Sequence, residues 1–213
     1  MVRLLHVGCV LAFLIVCSEG RGNVRMVLAD GFDFPVGKPD ADGYYKARGL
    51  RLRPPVHFGE DWNGKSGGDS DFGDPIYAIA HGVVMFAHDC RGGWGKVVLI
   101  RHAYRDPKSG KVKFIDSQYA HLRSMVVKNG DFVKRGQALG TMGSNRGMYT
   151  AHLHFEMRHN LTVGMHRESV PRTLTNWADP TSFIRAHRQL KKERRKHTVP
   201  TGTYKPYKGL SGL

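Results

Sequence analysis

The sequence predicts an all-β domain followed by a short helix, and three observations carry that expectation. With 26 Gly and 10 Pro in 213 residues, turns are favoured over long helices, while 40% hydrophobic and 24% charged residues still allow a buried core. Short β-branched and aromatic runs recur at 75–80, 82–88, 96–102, 113–121 and 152–158, each bounded by Gly, Asp or Asn. No helical periodicity precedes residue 179.

The first element is a targeting segment. Arg3 precedes an apolar run over 4–17, shorter than the roughly 20 residues a helix needs to cross a bilayer. Ser18 and Gly20 supply small residues around a cleavage point after Gly20, so 1–20 reads as a signal peptide. Lipid anchoring at Cys17 is an alternative that bulky Val16 disfavours, and an uncleaved anchor helix is disfavoured by His6 and the short run. The expected location is exported, periplasmic or secreted, with no transmembrane segment in the mature chain. Cleavage leaves Cys90 alone, so no internal disulfide can form, and it reads as a structural thiol in a turn.

Residues 21–55 read as an irregular lead-in, and the strand runs follow. Asn129-Gly130, between Met125-Val126-Val127 and Phe132-Val133, is a hairpin signal. Asp179-Pro180 has the form of an N-cap with Pro in the first turn, and Phe183, Ile184 and Leu190 can line one face of a terminal helix. The expected organisation is a signal peptide at 1–20, a lead-in at 21–55, a main domain at 56–184 and a basic tail at 185–213. The Gly, Pro and Thr-rich end from 197 onward reads as flexible.

The net charge of +15 favours a polyanionic partner, and +8 of it lies beyond Ile184. Export argues against nucleic acid, so none is expected. The tail then reads either as an anchor to an anionic wall polymer or as a solvated end that aids solubility.

Two clusters among the 12 His carry chemistry. In His152-Leu153-His154-Phe155-Glu156-Met157-Arg158 a strand puts His152 and His154 on one face, about 7 Å apart. One can ligate a metal while the other stands beside it, positioned for proton transfer. In His57-Phe58-Gly59-Glu60-Asp61-Trp62, His57 and Asp61 face the same way on a strand or a helix. Nitrogen and carboxylate oxygen suit zinc, and three such ligands leave a fourth position open for water, whose pKa zinc lowers to about 7. The bland reading of each cluster is a polar surface face. His81, His88, His102, His159, His166, His187 and His197 have no partner at telling spacing and read as turn, surface or tail residues.

Three blocks in order carry a resemblance. They are Val56-His57-Phe58-Gly59-Glu60-Asp61-Trp62, then Gly73-Asp74-Pro75-Ile76-Tyr77-Ala78 with Gly82-Val83-Val84, then Tyr119-Ala120-His121-Leu122 through Asn129-Gly130-Asp131 to Gly143-Ser144 and His152-Leu153-His154-Phe155-Glu156. Over about residues 56–158 the chain resembles the lysostaphin-type zinc metallopeptidases, the LytM-like D,D-endopeptidases of peptidoglycan. The resemblance implies a compact antiparallel β-sheet domain with a groove active site, one Zn2+ per chain held by His57, Asp61 and His154, and a catalytic pair, His121 and His152, that does not ligate. It implies an exported zinc endopeptidase acting on peptidoglycan. The alternative is a non-catalytic, wall-binding regulator of other hydrolases, as in relatives that have lost ligands. The chain departs from the family in its lead-in, at 65–71 and at 162–177, which are expected to shape the groove.

Overall fold

The computed structural model describes residues 22–207; the predicted signal peptide at 1–20 and the Cys17 alternative lie outside them. The strands are β1 (Asn23–Val27), β2 (Tyr44–Arg48), β3 (Glu60–Gly64), β4 (Pro75–Tyr77), β5 (Gly82–Asp89), β6 (Lys96–Arg105) and β7 (Val112–Leu122). There follow β8 (Ser124–Met125), β9 (Phe132–Val133), β10 (Ala138–Thr141), β11 (Leu153–Arg158), β12 (Trp177–Ala178) and β13 (Lys196–Pro200), with α1 (Pro180–Ala186) before the last. The main sheet is antiparallel in the order β2-β3-β11-β7-β6-β5-β9, with β12 against β11. Two smaller sheets are β4-β10-β8 and β1-β13. The all-β expectation is met.

Alternation decides which face each residue takes. Leu153, Phe155 and Met157 on β11, with Val98, Ile100, Ile115 and Tyr119 on β6 and β7, are buried in one core. Ile76 and Leu139 of the second sheet close that core, together with Phe32, Phe34 and the Phe183 and Ile184 side chains of α1. Phe32 packs edge-on against Tyr104 at 5.7 Å and Phe183 at 5.1 Å.

The opposite face of the same strands is polar and still buried. Register pairs His154 with Ala120, Glu156 with Gln118 and Arg158 with Asp116, and Asp116 in turn with Arg101. Arg101 grips Asp116 through two hydrogen bonds of 2.7 Å. A roof satisfies the rest: Leu161 and Pro200 carbonyls accept from Arg101, Gly164 from Arg158, and the Tyr204 hydroxyl donates to Asp116 at 2.7 Å. Buried charges persist only when paired and hydrogen-bonded in this way.

Four expectations are corrected. The lead-in at 21–55 contains β1 and β2; β2 is an edge strand with mostly exposed side chains, and β1 pairs with β13, so neither announces itself locally. Asn129-Gly130 does turn the chain, but the flanking strands pair elsewhere, β8 with β10 and β9 with β5. The helix ends at Ala186, and Leu190 packs on the core from the segment beyond it. The Asp179 cap holds, its side chain accepting from Ser182 N at 2.8 Å. The end read as flexible is ordered through residue 207: β13 buries Val199 beside Met26, and Tyr204 forms part of the roof.

Candidate metal centre and its groove

β3 and β11 lie side by side with Asp61 opposite His154, so neighbouring strands supply two of the functional side chains. The third comes from the turn before β3, where His57 bridges to Arg51. That turn lies close against β11: a Cβ on Gly59 would sit 2.2 Å from the Phe155 carbonyl oxygen, so any side chain there would push His57 away from its partners.

His57 Nε2 lies 3.0 Å from Asp61 Oδ1 and 3.1 Å from His154 Nδ1, which is itself 2.9 Å from Asp61 Oδ1. The outer nitrogens fix the tautomers. His57 Nδ1 meets the Gly49 carbonyl at 2.9 Å and His154 Nε2 meets Glu156 Oε1 at 2.9 Å, and since neither oxygen can donate, both protons sit on those nitrogens. Two lone pairs and one carboxylate oxygen therefore converge with no proton among them. Such an arrangement is repulsive unless a cation sits between them. Tetrahedral zinc ligands at 2.0–2.1 Å lie roughly 3.3 Å apart, so both the donor set and the spacing fit a metal ion. Asp61 enters this set as a carboxylate, its ordinary state at neutral pH, and so brings the negative charge that two neutral imidazoles lack.

His121 and His152 stand beside the cluster. Their rings are 4.9 Å apart, and His121 is 5.7 Å from the His154 ring. His121 Nδ1 donates to the Trp94 carbonyl at 3.2 Å and His152 Nδ1 to Thr150 at 2.8 Å, leaving each Nε2 as a free base. Burial, with His154 and His152 nearby, pushes the His121 imidazole down to about 3, so it enters neutral.

Strict alternation from Tyr119 would send His121 into the core. A bulge prevents this: β6 and β7 shift register between Lys96 and Val98, and His121 has φ 65. The extra residue brings His121 into the groove beside Ala120.

All five predicted residues thus come together. Glu156, quoted in the sequence but given no role there, is fully buried and also receives Arg158 Nε and Nη2 at 3.0 and 2.8 Å. Burial alone would raise its pKa; Arg158, then His154, bring it well below the carboxylate range. Its signal was its place in the His152, His154 alternation. His102 is corrected: it is a core residue, its Nδ1 bonded to the His81 carbonyl and its Nε2 to Ser117 Oγ. The half-buried Cys90 thiol is pushed up to about 12 by burial and has no reactive character.

The groove has a volume of about 870 Å³, walled by Phe58, Trp94, Tyr149, Arg48, Arg167 and Arg172. Arg167 and Arg172 come from the departure at 162–177, which does shape the groove; no residue of 65–71 lines it. Arg167 lies 4.2 Å over Trp94 and 5.1 Å over Phe58. Among the described residues no helix is long and apolar enough to cross a membrane.

Comparison with known proteins adds four findings. A family model, Peptidase family M23, matches residues 55–165. The chain is 37% identical over 87 residues to lipoprotein NlpD of Yersinia enterocolitica, covering 41% of this chain and 79% of that protein. It is 33% identical over 114 residues to the DD-carboxypeptidase/endopeptidase Mpg of Neisseria meningitidis serogroup B, covering 53% of this chain but 23% of that one. In fold, it matches a chain of the SpoIIQ-SpoIIIAH pore forming complex with a TM-score of 0.53 at 19% identity, over 76% of this chain and 94% of that chain.

Proposed function

Because the chain belongs to peptidase family M23, we propose that it is an exported, zinc-dependent endopeptidase that hydrolyses peptide bonds in bacterial peptidoglycan. One observation carries the reading: His57, Asp61 and His154 converge on an ion-sized space with two free-base imidazoles beside it. When bound, zinc supplies Lewis acidity toward a carbonyl and lowers the pKa of water.

The chain's own residues do the rest. His57 Nε2, Asp61 Oδ1 and His154 Nδ1 hold the ion. Glu156 fixes the His154 tautomer so that Nδ1 faces inward. His152 and His121 keep their protons on Nδ1, so Nε2 of either can take the proton of the attacking water, and the resulting imidazolium can steady the developing oxyanion. Phe58, Trp94 and Tyr149 supply apolar walls that orient the peptide and limit water.

A regulator that only binds the wall would need none of this proton placement. The exposed cations at 191–196 are proposed to hold the protein to an anionic wall polymer, a contribution separate from turnover. The deciding experiment digests intact peptidoglycan of several chemotypes and identifies released fragments by mass spectrometry. New amino and carboxyl termini at peptide bonds are expected with zinc-loaded protein; intact muropeptides after digestion would leave the regulator reading.

A further inference from the structure

Arg172 lines the metal groove and also a second cleft, of about 560 Å³, that adjoins it. That cleft is lined by Leu50, Arg51, Leu52, Arg53, Arg172, Thr173 and Leu174. Two features set it apart from an ordinary charged surface. First, no carboxylate lines it, and the side chains of Arg51, Arg53 and Arg172 have no ion pair or hydrogen bond among the described residues. Second, it has an apolar floor. Leu50 and Leu52 pack on the Phe58, Val163 and Trp177 cluster, while Leu174 stands 67% exposed among the cations.

The charges nearer the metal cluster do not compensate. Asp61 is committed to the ligand set, and Glu168 lies 3.3 Å from Arg167. The Arg172 guanidinium lies 5.9 Å from the Phe58 ring, which also faces Arg167, so Phe58 links the groove to the cleft. Three unpaired guanidiniums side by side repel one another, and a carboxylate relieves that repulsion while matching the planar donor fork.

We propose that Arg51, Arg53 and Arg172 form a cationic extension of the groove that binds carboxylates of the substrate peptide, so that the protein selects acidic wall peptides over neutral ones. The inference rests on the peptidase reading and narrows its substrate class. An extended peptide advances about 3.3 Å per residue, so a chain lying across the metal centre enters the cleft within a few residues. Leu50, Leu52 and Leu174 then accept its apolar side chains while the arginines take its acids.

The test uses zinc-loaded protein and matched cross-linked peptides that carry either free carboxylates or carboxamides. The variant is Arg51→Gln, Arg53→Gln, Arg172→Gln; the control removes equal charge elsewhere through Lys191→Gln, Lys192→Gln, Arg195→Gln. Wild type should favour the free acids about tenfold in kcat/KM, as expected when charge-assisted hydrogen bonds are lost in the amide. The groove variant should raise KM for the acids about tenfold, with kcat within about twofold, and treat both peptides alike. Zinc content should be unchanged and melting temperature nearly so, since the three side chains make no internal hydrogen bond or ion pair and only Arg172 touches a ring, that of Phe58. Equal handling of acid and amide by wild type, retained preference in the variant, or equal loss in the control would each overturn the proposal. Should neither peptide be cleaved, the peptidase reading falls, and calorimetric binding of the same two peptides to wild type and variant still decides the inference.

Discussion

Each imidazole at the centre has one nitrogen committed to a fixed acceptor, and that commitment sets where its other nitrogen points. His57 and His154 present lone pairs to a shared point, while His121 and His152 present theirs to the space beside it. Asp61→Ala should therefore abolish stoichiometric zinc, whereas His121→Ala should keep it and lose roughly 10²-fold or more in rate, as when a positioned base is removed. Elemental analysis with single-turnover kinetics checks both; a metal-free His121→Ala protein would make it a ligand and undo the division of labour. The residue types and spacing at His57, Asp61, His152 and His154 were readable because strand alternation and a short i to i+4 step are local patterns. Glu156 was less so. A carboxylate between Phe155 and Met157 looks like the outward face of an ordinary strand until Arg158, Gln118 and Arg167 are seen to enclose it.

At the scale of elements, β6 shows how burial changes a histidine's meaning. Burial pushes His102 down to about 4, against an unfolded value near 6.5, so the folded chain binds fewer protons than the unfolded one between those values. Its contribution is fully present above about pH 6.5 and is lost as pH falls toward 4, by up to roughly 3 kcal/mol. His102→Gln should be less stable at pH 7 yet lose less than wild type on going to pH 5, as read by denaturant titration at each pH. Equal losses would show that His102 is not the acid-sensitive group. Runs for β5, β6, β7 and β11 were legible because both faces are apolar or alternate cleanly. The bulge at His121 was not: a register slip depends on the partner strand and leaves no mark in Tyr119-Ala120-His121-Leu122 itself. The hairpin signal at Asn129-Gly130 was likewise right about the turn and silent about the partners, which β5 and β10 supply.

Across the whole molecule, the charge excess divides into parts with different work. Arg188 is not available to a partner, since Asp33 and Asp40 hold it against the chain. Lys191, Lys192, Arg194, Arg195 and Lys196 are exposed. Replacing these five with Gln should leave turnover of soluble peptides unchanged and reduce sedimentation with insoluble wall at low salt, a difference that shrinks as screening shortens to about 8 Å at physiological ionic strength. Wall binding equal to wild type at low salt would reduce the segment to a solubility device. Composition revealed the excess of charge but not its division, because Arg51 and Arg53 lie in a stretch with no regular pattern and acquire their setting from Arg172, Thr173 and Leu174, distant in sequence. The order in which the chain is made adds a constraint of its own. β1 must wait for β13, and the buried Arg101–Asp116 pair has neither the Pro200 carbonyl nor the Tyr204 hydroxyl until residues 196–204 arrive. A chain made only as far as α1 thus carries an unroofed polar face beside His154, and closing that face waits on contacts distant in sequence.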